Sequence, residues 1–223
     1  MRVTRWLRPA AHAGALLPLA VLLVQAANND LTANPIQFIT LRTGKTALVL
    51  LVLSLAVTPA ITLSGWYPIK PLRRIFGLYA FMYATLHFLT FVGLDYAFDP
   101  FLLREAIFEK RYALVGLAAF LLLIPLAITS TRGWIRRLGR RWVHLHRLVY
   151  VAALLAVVHY AWSVKADVRV PLVFGAVIVG LLLLRLPAVT ARLRELRRSR
   201  SEYDVRSREY GVRSKGAPKA DKN

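Results

Sequence analysis

Residues 142–162 read WVHLHRLVYVAALLAVVHYAW, an apolar run that holds His144, His146 and His159, three of the chain's five histidines. At 1.5 Å per helical residue the run covers about 31 Å, enough to cross a hydrocarbon layer of roughly 30 Å. Ionisable side chains inside such a run are costly and usually mark function. The run therefore predicts a membrane helix. It also raises the question of why imidazoles stand near both of its ends.

The rest of the 223 residues follow the same pattern. The chain is 57% hydrophobic, with a mean hydropathy of +0.49. Apolar runs at about 9–27, 45–65, 75–94, 112–130, 143–163 and 171–187 predict an all-α integral membrane protein, a bundle of six transmembrane helices. The expected organisation is one six-span domain, 1–187, and a basic, partly disordered cytoplasmic tail, 188–223. The last run is short and is expected to extend past Arg185 by snorkelling. The first run follows Arg2, Arg5 and Arg8, as a secretory signal would. It is longer than the usual signal core of roughly 7–15 residues and holds a histidine and two prolines, so it reads as the first span.

The net charge of +20 would suggest nucleic acid in a soluble protein. Here it is a topology signal. With both termini cytoplasmic, 24 of the 31 Lys and Arg fall on the inner side and seven on the outer, the bias that membrane proteins show. The tail is expected to touch anionic headgroups of membrane lipid. No nucleic-acid module is expected.

There are no cysteines, which excludes disulfides, thiolate-ligated clusters and cysteine nucleophiles. The tail has only Gly211 and Gly216, too few for a flavin- or nicotinamide-binding turn, so no reductase domain is expected in it. No P-loop, nucleophile elbow or HExxH pair is present, and no internal repeat is evident. The outer loop 95–111, DYAFDPFLLREAIFEKR, has the pattern of a short interfacial helix. It reads as a capping loop or as a docking surface, with the first favoured.

Two neutral imidazoles facing each other across a helical bundle are a standard way to hold a haem iron on both axial positions. His87 lies about 12 residues, or roughly 18 Å, into the outward-running third span. His159 lies about 16 residues, or roughly 24 Å, into the outward-running fifth. The depths match, and the pair reads as axial ligands of an outer haem. His146 stands 13 residues before His159, about 20 Å towards the inner face, and reads as a ligand of an inner haem. On a straight helix those two rings would point about 140° apart, so a kink or bulge between them is required. The inner level of the third span offers Arg74 instead of a histidine. His12, at the inner end of the first span, has a suitable depth.

Plainer readings stand beside these. His144 reads as interfacial, and it is two residues from His146, so the two diverge on a helix and do not chelate one zinc ion. Trp134, Trp142, Tyr160 and Trp162 fit interfacial aromatic belts. Arg147 reads as a topology charge or as a partner of a haem propionate or flavin phosphate. A transporter with a histidine proton path would need acids in the spans, and none lies there.

AHAGALLPL (11–19), GLYAFMYATLHFLTF (77–91) and GRRWVHLHRLVYVAALLAVVHYAWSVK (139–165) resemble the MsrQ family. The resemblance covers nearly all of the chain apart from the tail. MsrQ is the haem-binding membrane subunit of a periplasmic methionine-sulfoxide reductase system, similar to the ferric-reductase-type transmembrane domain. The resemblance implies a multi-pass haem b protein of the bacterial inner membrane, with one or two haems and FMN as a possible second cofactor. It implies electron input from the quinone pool or a cytoplasmic flavin reductase, and output to a periplasmic molybdopterin subunit that repairs oxidised envelope proteins. The chain would be the electron-transfer subunit of that oxidoreductase system, not its catalytic subunit. His87, His146 and His159 match the family motif, and His12 matches a first-span histidine. Arg74 departs from the wider superfamily, which bears on a full two-haem stack and not on the outer haem. The alternative is a ferric-reductase-like or quinol-oxidising cytochrome b serving a different acceptor.

Overall fold

The computed structural model describes residues 3–164, 167–193 and 195. All its regular elements are helical. Among the described residues, five helices are long and apolar enough to cross a membrane, and six if one bent pair is counted as a single span.

Helix α1 (Val3–Ala27) contains Pro9 and Pro18. A proline removes a ladder donor and crowds the carbonyl one turn back. At Pro18 a neighbouring helix repairs the ladder. Tyr83 donates its hydroxyl to Ala15 O (2.8 Å) and accepts from Leu19 N–H (2.9 Å), so a phenol sits where one backbone hydrogen bond would be. Tyr83 is almost wholly buried, which fixes α1 against α3 (Leu72–Leu89).

Helix α2 (Pro35–Ser64) begins ten residues before the expected second span. Asn34 caps it by accepting from Gln37 N–H (3.1 Å), and Pro35 occupies the first turn. The charges of Arg42 and Lys45 ride on the helix and do not end it. Gly65 closes it in the left-handed conformation (φ 70°), its N–H on Ile61 O. A 3-10 turn, Tyr67–Ile69, leads into α3. Beyond α3 the chain continues as a π-helix, Thr90–Asp95, one turn past His87.

The loop 95–111 folds as expected into a short helix, α4 (Pro100–Glu109), capped by Asp99 on the amides of Phe101 and Leu102. Helix α5 (Arg111–Ile128) follows. The basic connection after it forms two further short helices, α6 (Arg132–Leu138) and α7 (Arg140–His146), hinged at Gly139 with φ 50°.

The expected fifth span is α7 together with α8 (Leu148–Ser163). The join at Arg147 is tightened: Arg147 N–H bonds His144 O (3.1 Å) and Tyr150 N–H bonds Arg147 O (3.0 Å). These are i→i+3 bonds, and such a turn advances about 120° per residue instead of about 100°. A kink or bulge between His146 and His159 was expected, and an irregular turn does stand between them.

Helix α9 (Arg169–Leu183) is the short last span. It does not carry on straight past Arg185. The chain bends by 74° into Pro187–Leu193. Apart from 188–193 and Glu195, the expected tail lies outside the described residues.

The strongest pairings are α2 with α3 and α5 with α8, so the bundle is built on two helical hairpins. Ala80, Ala152, Ala153 and Ile178 are essentially inaccessible at the seams. Small side chains let the backbones approach closely, which is how helices associate where lipid removes the hydrophobic drive.

Candidate functional site

The structure brings His87 and His159 together. His87 comes from α3 and His159 from α8, and their ring centroids are 5.9 Å apart at an interplanar angle of 80°. Each ring is held from behind by the other helix of its own hairpin. His87 Nδ1 lies 2.9 Å from Thr40 O on α2, and His159 Nδ1 lies 2.7 Å from Tyr112 O on α5. An N–H at Nδ1 donates to that carbonyl and leaves Nε2 as the free lone-pair nitrogen.

Each ring also needs a missing side chain. A β-carbon at Gly44 would stand 2.9 Å from His87 Nδ1, and one at Gly116 would stand 2.5 Å from His159 Nδ1. Only glycine lets each imidazole settle against its helix there. Gly44 follows Thr40 by one turn, and Gly116 follows Tyr112 by one turn.

The two triplets correspond. The histidine lies 47 residues after its carbonyl partner in both. Each member of the second set lies 72 residues after its counterpart: 112 after 40, 116 after 44, 159 after 87. Ala152 and Ala156 likewise follow Ala80 and Ala84 by 72. No repeat was expected from the sequence, and this one is structural, with few shared identities. Thr40, Gly44, Tyr112 and Gly116 were also missed. The signal available was this common offset, and apolar substitution elsewhere hides it.

No group of three or more His, Cys, Asp or Glu suited to a metal occurs among the described residues. Two imidazoles alone suit a metal that brings its own equatorial donors. Metal–nitrogen bonds of about 2.0–2.1 Å on both sides, plus an offset of about 1.1 Å from nitrogen to ring centre, call for ring centres about 6.2–6.4 Å apart. The observed 5.9 Å is a few tenths of an ångström short of that, so the rings would move slightly apart to admit a metal.

His146 stands apart from this pair, at the end of the bundle bearing the basic connections. Trp142 positions it twice: its carbonyl lies 3.2 Å from His146 Nδ1, and its indole stacks on the imidazole with centroids 3.9 Å apart. Trp142 is itself tied to the end of α5 through Nε1–H on Thr129 O (2.9 Å). His146 Nε2 is buried without a well-formed hydrogen bond, and the Leu126 carbonyl acts on the same ring.

The other candidates are more peripheral. His12 is exposed on α1 and pairs with Tyr79 OH (3.0 Å) across the seam with α3. His144, Arg74 and Arg147 are exposed. The inward arginines at this end are Arg73, whose carbonyl accepts from Ser54 Oγ (2.8 Å), and Arg185.

Residues 43–157 match the family model described as ferric reductase like transmembrane component. The chain is 48% identical, over 83% of its length and 90% of the relative's, to a protein-methionine-sulfoxide reductase haem-binding subunit MsrQ of Rhodospirillum rubrum. Similar relatives of the same name occur in Herminiimonas arsenicoxydans (47% identical, 77% of this chain and 80% of the relative) and Xanthomonas axonopodis pv. citri (45%, 77% and 81%).

Proposed function

This chain belongs to the MsrQ family, among the ferric reductase-like transmembrane components, and from that premise we propose that it carries electrons across a bacterial inner membrane through haem b. The observation that carries the reading is the His87/His159 pair: two imidazoles from separate hairpins, each anchored through Nδ1, with ring centres 5.9 Å apart. Haem, when bound, supplies a one-electron carrier.

The chain's own residues do the rest. His87 and His159 would hold the iron, one from each hairpin. The carbonyls of Thr40 and Tyr112 fix the tautomers and make each Nε2 more basic, which steadies the oxidised metal. The close-packed apolar helices supply a low-dielectric sheath. His146 is assigned to a second, inner haem, with Arg147 and His12 as more distant cofactor candidates and FMN as a possible second cofactor.

The excess of Lys and Arg supports a cytoplasmic basic end and a periplasmic opposite end. Electrons would enter at the basic end from quinol or a separate flavin reductase. They would leave at the other end to a periplasmic molybdopterin subunit, the catalytic partner that reduces methionine sulfoxide. The names of the relatives support a protein-methionine-sulfoxide reductase as the acceptor.

The test is a haem and flavin count on the purified full chain. A Soret band and a positive pyridine haemochrome are expected, and their absence ends the reading. Co-purification of a molybdopterin protein is expected from membranes. A haem protein that instead reduces another acceptor supports the alternative cytochrome.

A further inference from the structure

Where the start of α1 meets the turn before α3, the surface holds a cavity of about 870 Å³. Ligand sites commonly measure about 300–1,000 Å³. The lining is of two kinds. Arg5, Arg8 and Lys70 bring three positive charges, and Leu7, Tyr67, Pro68 and Pro71 bring apolar walls.

Both sides of the cavity are held in place by the backbone. Arg5 and Arg8 are three residues apart on α1, so they share one face. Opposite them, the turn Tyr67–Ile69 is closed by Lys70 N–H on Tyr67 O (3.0 Å). Pro68 and Pro71 lock φ within this turn and just after it. Lys70 therefore stands on a backbone with little freedom to fold away.

The three cations have no counter-ion. None of their side chains has a hydrogen-bond or ion-pair partner among the described residues. Asp30, Asp95, Asp99, Glu105, Glu109 and Asp167 follow the far ends of α1, α3 and α8, at the other end of the bundle. Like charges that converge on one cavity repel, and an anion placed among them removes that cost.

Two tryptophans set the level. Trp6 adjoins Arg5, Trp66 adjoins Tyr67, and both are exposed. The apolar run of α1 begins just past Arg8. Exposed indoles at the border of an apolar run mark the headgroup layer of a membrane. The anion available at that level is a phospholipid phosphate, and basic pockets between membrane helices suit such headgroups. The apolar walls beside the cations match a molecule with a charged head and apolar chains.

We propose that this cavity is a seat for an anionic phospholipid, with its phosphate among Arg5, Arg8 and Lys70 and its glycerol and chains against the apolar walls. The lipid would join the first helix to the turn before the third, where the protein alone leaves a gap. The seat needs no haem, so it stands or falls separately from the proposed function.

The test is a titration of the full chain, in a neutral detergent, with phosphatidylglycerol and separately with phosphatidylcholine. Bound lipid per chain is read by native mass spectrometry. Wild type is compared with Lys70→Gln, Arg5→Gln/Arg8→Gln and Arg136→Gln/Arg137→Gln, the last removing two charges from α6 instead. Phosphatidylglycerol is expected to bind wild type more tightly than phosphatidylcholine does. Its affinity should fall about fivefold in Lys70→Gln and about 30-fold in Arg5→Gln/Arg8→Gln, and stay within about twofold in the α6 variant. It should also slow amide exchange over 5–12 in wild type and not in Arg5→Gln/Arg8→Gln. Far-ultraviolet circular dichroism reports the fold of each variant. If the double variant does not fold, Lys70→Gln and the lipid preference of wild type decide.

Three results overturn the seat. Equal affinity of wild type for the two lipids removes the anion preference. Equal weakening in the α6 variant reduces the binding to unlocalised surface charge. Displacement of phosphatidylglycerol by an equal concentration of inorganic phosphate gives the cations to a soluble phosphate instead of a lipid.

Discussion

The Nδ1 atom of His159 lies 2.7 Å from the carbonyl oxygen of Tyr112. One turn further along α5, Gly116 leaves the space in which the ring rests. The imidazole is thus positioned by the backbone of its partner helix, with no side chain involved. His87 is placed the same way by Thr40 and Gly44.

Gly116→Ala is therefore expected to displace the His159 ring, because a β-carbon at 2.5 Å from Nδ1 has no room. Gly44→Ala, at 2.9 Å, should do the same to His87 more mildly. Overpacking of this kind costs about 1–3 kcal/mol. Soret absorbance per chain should fall severalfold for Gly116→Ala and less for Gly44→Ala. Equal, wild-type haem content in both would show that the cradles do not position the ligands.

His87→Ala and His159→Ala are expected to lose the same haem, since the two rings face one another. His146→Ala should leave that haem in place and alter a different optical or EPR signal. Identical spectra for all three variants would collapse the two levels into one.

Tyr83→Phe removes the hydroxyl that bridges Ala15 O and Leu19 N–H beside Pro18. Those two buried groups then lose their partner, at a cost of about 1–3 kcal/mol. The thermal midpoint should fall and α1 should loosen from α3, seen as faster amide exchange over 12–22. Unchanged exchange would mean that the ladder closes without the phenol.

Lys110 donates to Tyr96 OH (2.7 Å) across the joint of α4 and α5. Chiefly through that bond, its ammonium pKa lies above the ordinary lysine value. A raised pKa means that the contribution is complete below the unfolded value of about 10.4 and is lost as pH rises through the folded value. Amide exchange of 96–110, corrected for intrinsic rates, should therefore be slow at pH 8 and faster above about pH 10.5. Lys110→Met should exchange fast already at pH 8. Matching wild-type and variant profiles would show that the bond does not hold the loop.

Much of this was legible in the chain. Hydropathy located five of the expected spans, and the sixth where a bent pair is counted as one, because a helix satisfies its own backbone in lipid. Helical rise alone paired His87 with His159. The Gly44 and Gly116 cradles were not legible, because a glycine in an apolar helix gives no hint of which ring leans on it. Arg185 was misread for a related reason. Charge near a helix end ordinarily turns to water, and only the carbonyl exposed by Pro59, four residues beyond Leu55 on a distant helix, draws it back. The repeat escaped because it is kept in the positions of very few side chains.

That repeat has a consequence for the order of biogenesis. On the proposed haem reading each hairpin would contribute one ligand, and the second histidine is polymerised 72 residues after the first. At about 5–20 residues per second that gap is roughly 4–14 s. Throughout it, a nascent chain offers a single imidazole on a finished hairpin, a half-made clasp. The iron can be gripped from both sides only when the second hairpin docks, so haem capture would report that the two halves have found each other.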